Sequence, residues 1–76
     1  MVYFYFVGEE VIYGKWGVSS IKEARRDLEE QASLFLRSKG DEGEGFVGDG
    51  EIEEYYAFFR NGGKDLTSRL KRKESL

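Results

Sequence analysis

Seventy-six residues, a net charge of −3 and 16% aromatic content, with no cysteine and no histidine, describe one small domain spanning residues 1–76. The two absences exclude disulfides and ordinary zinc sites, and with them Ser-His-Asp, Cys-His and histidine general-base catalysis. A domain this small buries only ~60% of its unfolded surface and rarely encloses a reaction pocket, so a non-enzyme is expected, with no catalytic residue, no metal and no cofactor.

In chain order, Val2-Tyr3-Phe4-Tyr5-Phe6-Val7 is entirely β-branched or aromatic and predicts a strand over 2–7. Gly8, Glu9 and Glu10 predict a turn, and 11–16 returns as the second strand of a hairpin. A two-residue turn at Gly8-Glu9 would pair Phe6 with Val11 and Phe4 with Tyr13 on one face. Tyr3, Tyr5, Val7, Ile12 and Trp16 then share the other, so the hairpin is apolar on both sides.

The stretch 20–39 carries start, face and stop signals for a helix. Ile21, Ala24, Leu28, Ala32, Phe35 and Leu36 recur at steps of three and four, which places them on one helical face. Ser20 and Glu23 have the spacing of a capping box. Arg37 and Lys39 suit the negative end of the helix dipole, and Gly40 can adopt the left-handed conformation that ends a helix. On the outer face, Arg25–Glu29 and Arg26–Glu30 are opposite-charge pairs four residues apart.

Residues 40–50 are half glycine and otherwise acidic apart from Phe46-Val47, which predicts a loop with at most a short strand. Seven carboxylates and no base lie between Lys39 and Arg60, the pattern of a solvated acidic segment. Asp49-Gly50-Glu51-Ile52 resembles the middle of an EF-hand loop, but Gly45, Val47 and Tyr56 would then occupy main ligand positions, and none supplies the carboxylate required there. Around 52–60 the aromatic run Tyr55–Phe59, followed by the Asn61-Gly62 turn signal, favours a third strand. The alternative makes 51–60 helical. Asn61-Gly62-Gly63 would then join two helices and resemble a helix-turn-helix, and a winged variant would use Tyr55–Arg60 and Lys64–Leu66 as the wing around Asn61-Gly62. Leu66 and Leu70, four residues apart, predict a short basic helix over 65–73. The expected class is α+β: an aromatic hairpin extended by a strand near 52–60, packed on the 20–39 helix, with the basic C-terminal helix beside it.

Charge is segregated. Residues 1–59 hold six bases and thirteen acids, whereas 60–76 hold six bases and two acids. Basic clusters neutralise phosphates, so Arg60, Lys64, Arg69, Lys71, Arg72 and Lys73, with Thr67 and Ser68 as hydrogen-bonding neighbours, are the candidate nucleic-acid-binding residues. Tyr3, Tyr5 and Trp16 are candidates for stacking on bases or for an interface. The functional expectation is a small nucleic-acid-binding protein, with DNA the favoured partner and transcriptional regulation the role. The competing expectation is a protein-interaction or homodimerisation module that uses the aromatic hairpin face. The N-terminus lacks the basic and apolar regions of a signal peptide, and no apolar run approaches the ~20 residues that cross a bilayer. A soluble, cytoplasmic protein with no membrane partner is therefore expected. Charged residues make up 36% of the chain, with one Gln, one Asn and one Met, a balance expected of a heat-adapted protein.

Overall fold

A helix, α1, runs from Ile21 to Ser38, where its periodicity and its cap place it. This computed structural model describes the backbone of residues 1–38, 40–61 and 64–74, and the side chains of 1–38 and 40–60. Ser20 Oγ accepts the Glu23 N–H at 3.1 Å, satisfying one of the donors that a helix start leaves open. Only half of the expected capping box forms. The Glu23 carboxylate accepts the Ser19 hydroxyl instead of closing back on the Ser20 N–H.

At the other end, the Gly40 N–H reaches the Phe35 carbonyl at 3.2 Å. Gly40 does not take the expected left-handed conformation. Among the described residues, positive φ occurs at Gly17 and Gly50 alone. What requires glycine at position 40 is proximity, since a Cβ there would run into the Phe35 ring. Lys39, the second base expected at this terminus, lies outside the described residues.

Against α1 lies an antiparallel sheet whose first four strands, β1 (Val2–Val7), β2 (Ile12–Val18), β3 (Glu42–Gly48) and β4 (Ile52–Asn61), run in the order β2-β1-β3-β4. The expected third strand near 52–60 is β4, and the helical alternative for 51–60 is thereby excluded, as is the helix-turn-helix built on it. The hairpin also differs from the expected register. Phe6 opposes Tyr13 and Phe4 opposes Lys15, because the turn uses four residues, Gly8 to Val11, closed by a Gly8 N–H to Val11 carbonyl bond of 2.8 Å. The shift is two residues, an even number, so every side chain keeps its expected face.

Two segments depart further from expectation. The glycine-rich stretch read as a loop is β3, a central strand paired on both sides. Its glycines make room for rings on neighbouring elements: a Cβ on Gly43 would strike Phe6, and one on Gly45 would sit 2.7 Å from Phe58 and 2.8 Å from Leu28. The short basic helix expected over 65–73 is absent as well. Lys64–Glu74 is a strand, β5, whose backbone pairs antiparallel with β4. Pairing from Asn61↔Lys64 onward satisfies what would otherwise be a ten-residue open edge on β4, and the four-residue leucine spacing yields to it. Leu70 is passed over in the ladder, where the register shifts between Tyr55 and Tyr56, the mark of a β-bulge.

Phe4, Phe6, Ala24, Leu28, Ala32, Phe35, Leu36, Val47, Tyr56 and Phe58 form one buried cluster between helix and sheet. Phe6 is its centre, with ring centroids 5.3 Å from Phe35 and 5.7 Å from Phe58. Among the described residues, one charge lies within this layer. Glu54 is only 1% exposed and receives a two-pronged contact from Arg25, Nε to Oε1 at 2.8 Å and Nη2 to Oε2 at 2.6 Å. The Tyr56 hydroxyl donates to Glu54 Oε1 at 2.8 Å. Arg25 is therefore turned inward to Glu54, not to the Glu29 expected as its partner on the outer face. Among the described residues, no buried side-chain polar atom is left without a partner.

Candidate nucleic-acid interface

With α1 covering one side of the sheet, the opposite side holds the odd-numbered residues of β1. Tyr3 and Tyr5 stand there, 6.3 Å apart between ring centroids, and Trp16 on β2 lies 4.7 Å from Tyr3. The three residues expected from sequence to stack or to form an interface are thus brought together. Two more complete the array. Phe46, from β3, sits 5.0 Å from Tyr5, and Tyr55, from β4, meets Phe46 edge-on at 4.9 Å. The ladder dictates this row, since Tyr5 opposes Phe46 and Phe46 opposes Tyr55, and directly opposed side chains in a sheet are neighbours. Sequence reading missed Phe46 because its strand was read as a loop. Its signal was the alternation Glu44-Phe46 against Gly45-Val47, polar or aromatic on one side and small or apolar on the other.

A carboxylate anchors one end of the array. Glu53 accepts the Tyr55 hydroxyl at 2.7 Å through Oε1 and the Tyr3 hydroxyl through Oε2. Both phenols are pushed above the ordinary tyrosine value. For Tyr3 the larger cause is burial, followed by the hydrogen bond to Glu53; for Tyr55 the hydrogen bond to Glu53 comes first. The acidic segment is therefore not a uniform solvated run. Glu53 orders the open face, Glu54 is buried against Arg25, and Asp49 Oδ1 accepts the backbone N–H groups of Glu51 and Ile52 at 3.1 Å each. Those two bonds hold the Asp49 carboxyl below the usual carboxylate range and fix the β3–β4 turn.

Trp16 is the outermost member of the array at 69% exposed, with Ile12 at 72% on the same strand and face. Tyr5, Ile12, Gly14 and Trp16 line a shallow groove there. The half-buried tyrosines supply rigid aromatic planes, and the tryptophan supplies an accessible one.

Of the basic candidates, Arg60 has a structural task. Its Nη1 donates to the Leu36 carbonyl at 2.8 Å and its backbone N–H to Asp41 O at 2.8 Å, so it helps close the C-terminal end of α1. The backbone positions of Lys64, Thr67, Ser68, Arg69, Lys71, Arg72 and Lys73 fall on β5, beside β4, and the ladder sets Lys71 opposite Tyr55 and Lys73 opposite Glu53. Their side chains lie outside the described residues. Among the described residues, no group of acidic side chains is arranged to hold a metal ion, and no helix is long and apolar enough to cross a membrane. Compared with known proteins, the chain matches no family model, no curated protein and no solved structure.

Proposed function

We propose that this chain binds single-stranded nucleic acid, DNA in the first instance, across the helix-free face of its sheet. The observation that carries the reading is the array of Trp16, Tyr3, Tyr5, Phe46 and Tyr55 on a face no other described element covers. Unpaired bases offer flat π surfaces that stack on such side chains without regard to sequence. A duplex keeps its bases stacked internally and cannot use them. Phosphates are drawn to the basic strand β5, since residues 1–59 carry thirteen acids against six bases and repel a polyanion. With no histidine or cysteine in the chain, we assign binding rather than turnover, in keeping with a regulatory part at exposed single strands.

The test is fluorescence anisotropy with labelled oligothymidine, oligouridine and a duplex of equal length, repeated across salt concentrations. Single strands should bind more tightly than the duplex, with affinity falling steeply as salt rises. Replacing Arg69, Lys71, Arg72 and Lys73 with Gln should flatten the slope of log affinity against log salt by up to roughly 2.8, about 0.7 per lost contact on a single strand. Trp16→Ala should weaken binding by ~1–3 kcal/mol while leaving the salt slope unchanged. No single-strand binding at low salt, with Trp16 fluorescence unquenched, would reject the reading.

A further inference from the structure

We infer that β2 is a self-complementary edge through which two copies of this chain pair, joining their sheets into one. The argument begins with the ladder phase. The Gly8 N–H bonds the Val11 carbonyl, and in an antiparallel pair the hydrogen-bonded positions recur at every second residue. Phe6↔Tyr13 and Phe4↔Lys15 are therefore the bonded pairs, with the N–H and C=O groups of Tyr13 and Lys15 directed at β1. Those of Ile12, Gly14 and Trp16 are directed away from it. β2 stands at the end of the strand order, so these three residues present an open edge, and such edges template pairing with another chain.

The side chains decide which chain fits. Ile12 and Trp16 lie two positions either side of Gly14, and after Met1 they are the most exposed large apolar residues described. A twofold axis through Gly14 pairs Gly14 with its own copy and Ile12 with the second copy's Trp16, twice over. All three outward-directed residues then form hydrogen-bonded pairs at once, and each exposed apolar side chain meets the other on the same face. This is the isologous pattern a C2 dimer requires, in which one patch serves both partners. On the helix side the same register sets Tyr13 opposite the second copy's Lys15, a ring beside a cation.

The register ends at Trp16, because the strand bulges at Gly17, whose φ is +76°. The twofold axis stands perpendicular to the sheet. Both helices therefore lie on one side and both aromatic arrays on the other, as one continuous surface.

The chain has no native cysteine, so disulfide trapping reads this register directly. Hydrogen-bonded partners in an antiparallel ladder have Cα atoms about 5.5 Å apart, within disulfide range. Positions 12 and 16 of one strand are about 13 Å apart and cannot bridge. The double variant Ile12→Cys/Trp16→Cys should oxidise to a covalent dimer of twice the 8.8 kDa chain mass, while either single variant stays monomeric on a denaturing gel. Wild type should sediment as a dimer that dissociates on dilution. Ile12→Pro, which removes an outward N–H from an edge where proline is tolerated, should sediment as a monomer with an unchanged helical circular dichroism signal. A wild type of single-chain mass throughout the dilution series overturns the inference. So does a wild-type dimer whose double variant fails to cross-link, or whose single variants cross-link equally well, because its contact then lies elsewhere.

Discussion

On the helix side of the sheet, Phe4, Phe6, Tyr56 and Phe58 are buried against α1; on the other side Tyr3, Tyr5, Phe46 and Tyr55 are half-covered and Trp16 is exposed. The two faces have nearly the same aromatic content, yet they are held together differently. Behind the helix-side rings stand glycines: Gly43 and Gly45 remove the side chains that Phe6, Phe58 and Leu28 would otherwise strike. Among the described residues, the open face has no helix to pack against. Its rings are fixed by neighbours on adjacent strands and by two phenol–carboxylate bonds to Glu53. One face is a core whose stability comes from burial, and the other is an ordered surface whose planes remain available to a partner.

If that division is right, removing mass from the two faces should have very different consequences. Leu28 is fully buried at the centre of α1, and Leu28→Ala should cost ~2–5 kcal/mol, against a total expected for this length of roughly 4–11 kcal/mol. Trp16→Ala, on the exposed rim, should change the stability of the single chain, measured at a dilution where copies are apart, by no more than about 0.5 kcal/mol. Thermal melts of both variants check the pair. Equal losses would mean that the open face is part of the core.

Adding mass sharpens the same contrast. Gly45→Ala introduces a methyl 2.7 Å from the Phe58 ring and 2.8 Å from both Leu28 δ-carbons. None of these buried groups can move freely, and overpacking of this kind costs ~1–3 kcal/mol. An alanine in a strand normally gains over glycine, so a stabilised variant in a denaturant titration would show that the helix does not lie as close to β3 as described.

How far this division could be read beforehand depended on which forces are local. Helix α1, the first two strands, the strand at 52–60 and the side of the sheet that each hairpin residue occupies follow from periodicity, caps and β-branched or aromatic runs, all properties of short windows. Strand β3 does not. Glycines at 43, 45 and 48 carry low strand propensity, and what makes them a strand is the approach of Phe6, Leu28 and Phe58 from elsewhere in the chain. Glu54 is the same kind of case. Nothing adjacent to it predicts burial, because its partner Arg25 lies 29 residues away. The expected helix over 65–73 gave way likewise to a partner strand. In the site, Tyr3, Tyr5 and Trp16 were legible as aromatic residues on one face of a hairpin, whereas Phe46, Tyr55 and the Glu53 anchor emerge only once β3 and β4 are in register.

A smaller effect tests the entry to α1, which both faces depend on for the orientation of the helix. Ser20→Ala removes the acceptor for the Glu23 N–H and should cost ~0.5–2 kcal/mol. Ser19 is already committed to the Glu23 carboxylate and is not placed to substitute. An unchanged denaturation midpoint would locate the cap elsewhere.

The smallest predicted effect is specific to the open face and appears at alkaline pH. Tyr3 and Tyr55 are both raised above the ordinary phenol value, through burial and Glu53 for the first and chiefly through Glu53 for the second. Unfolded tyrosines ionise near pH ~10. Below that pH the phenols are protonated in both states, so the stabilisation from their bonds to Glu53 is fully present. Above it the unfolded chain releases protons that the folded chain still holds, and stability falls as pH rises toward the folded-state values. Tyr56 adds to the same trend from the helix side, where burial comes first and its bond to Glu54 second. Glu53→Gln keeps an acceptor for the two phenols but removes the negative charge that resists their ionisation. It should therefore lower the pH at which Tyr3 and Tyr55 titrate by phenolate absorbance and flatten the alkaline decline in melting temperature, without moving the Tyr56 contribution. Tyr3→Phe should remove one titrating group and part of that decline while leaving the helix-side core intact. Phenols that all titrate like free tyrosine, with a melting temperature level above pH 10, would show that Glu53 does not hold the open face together.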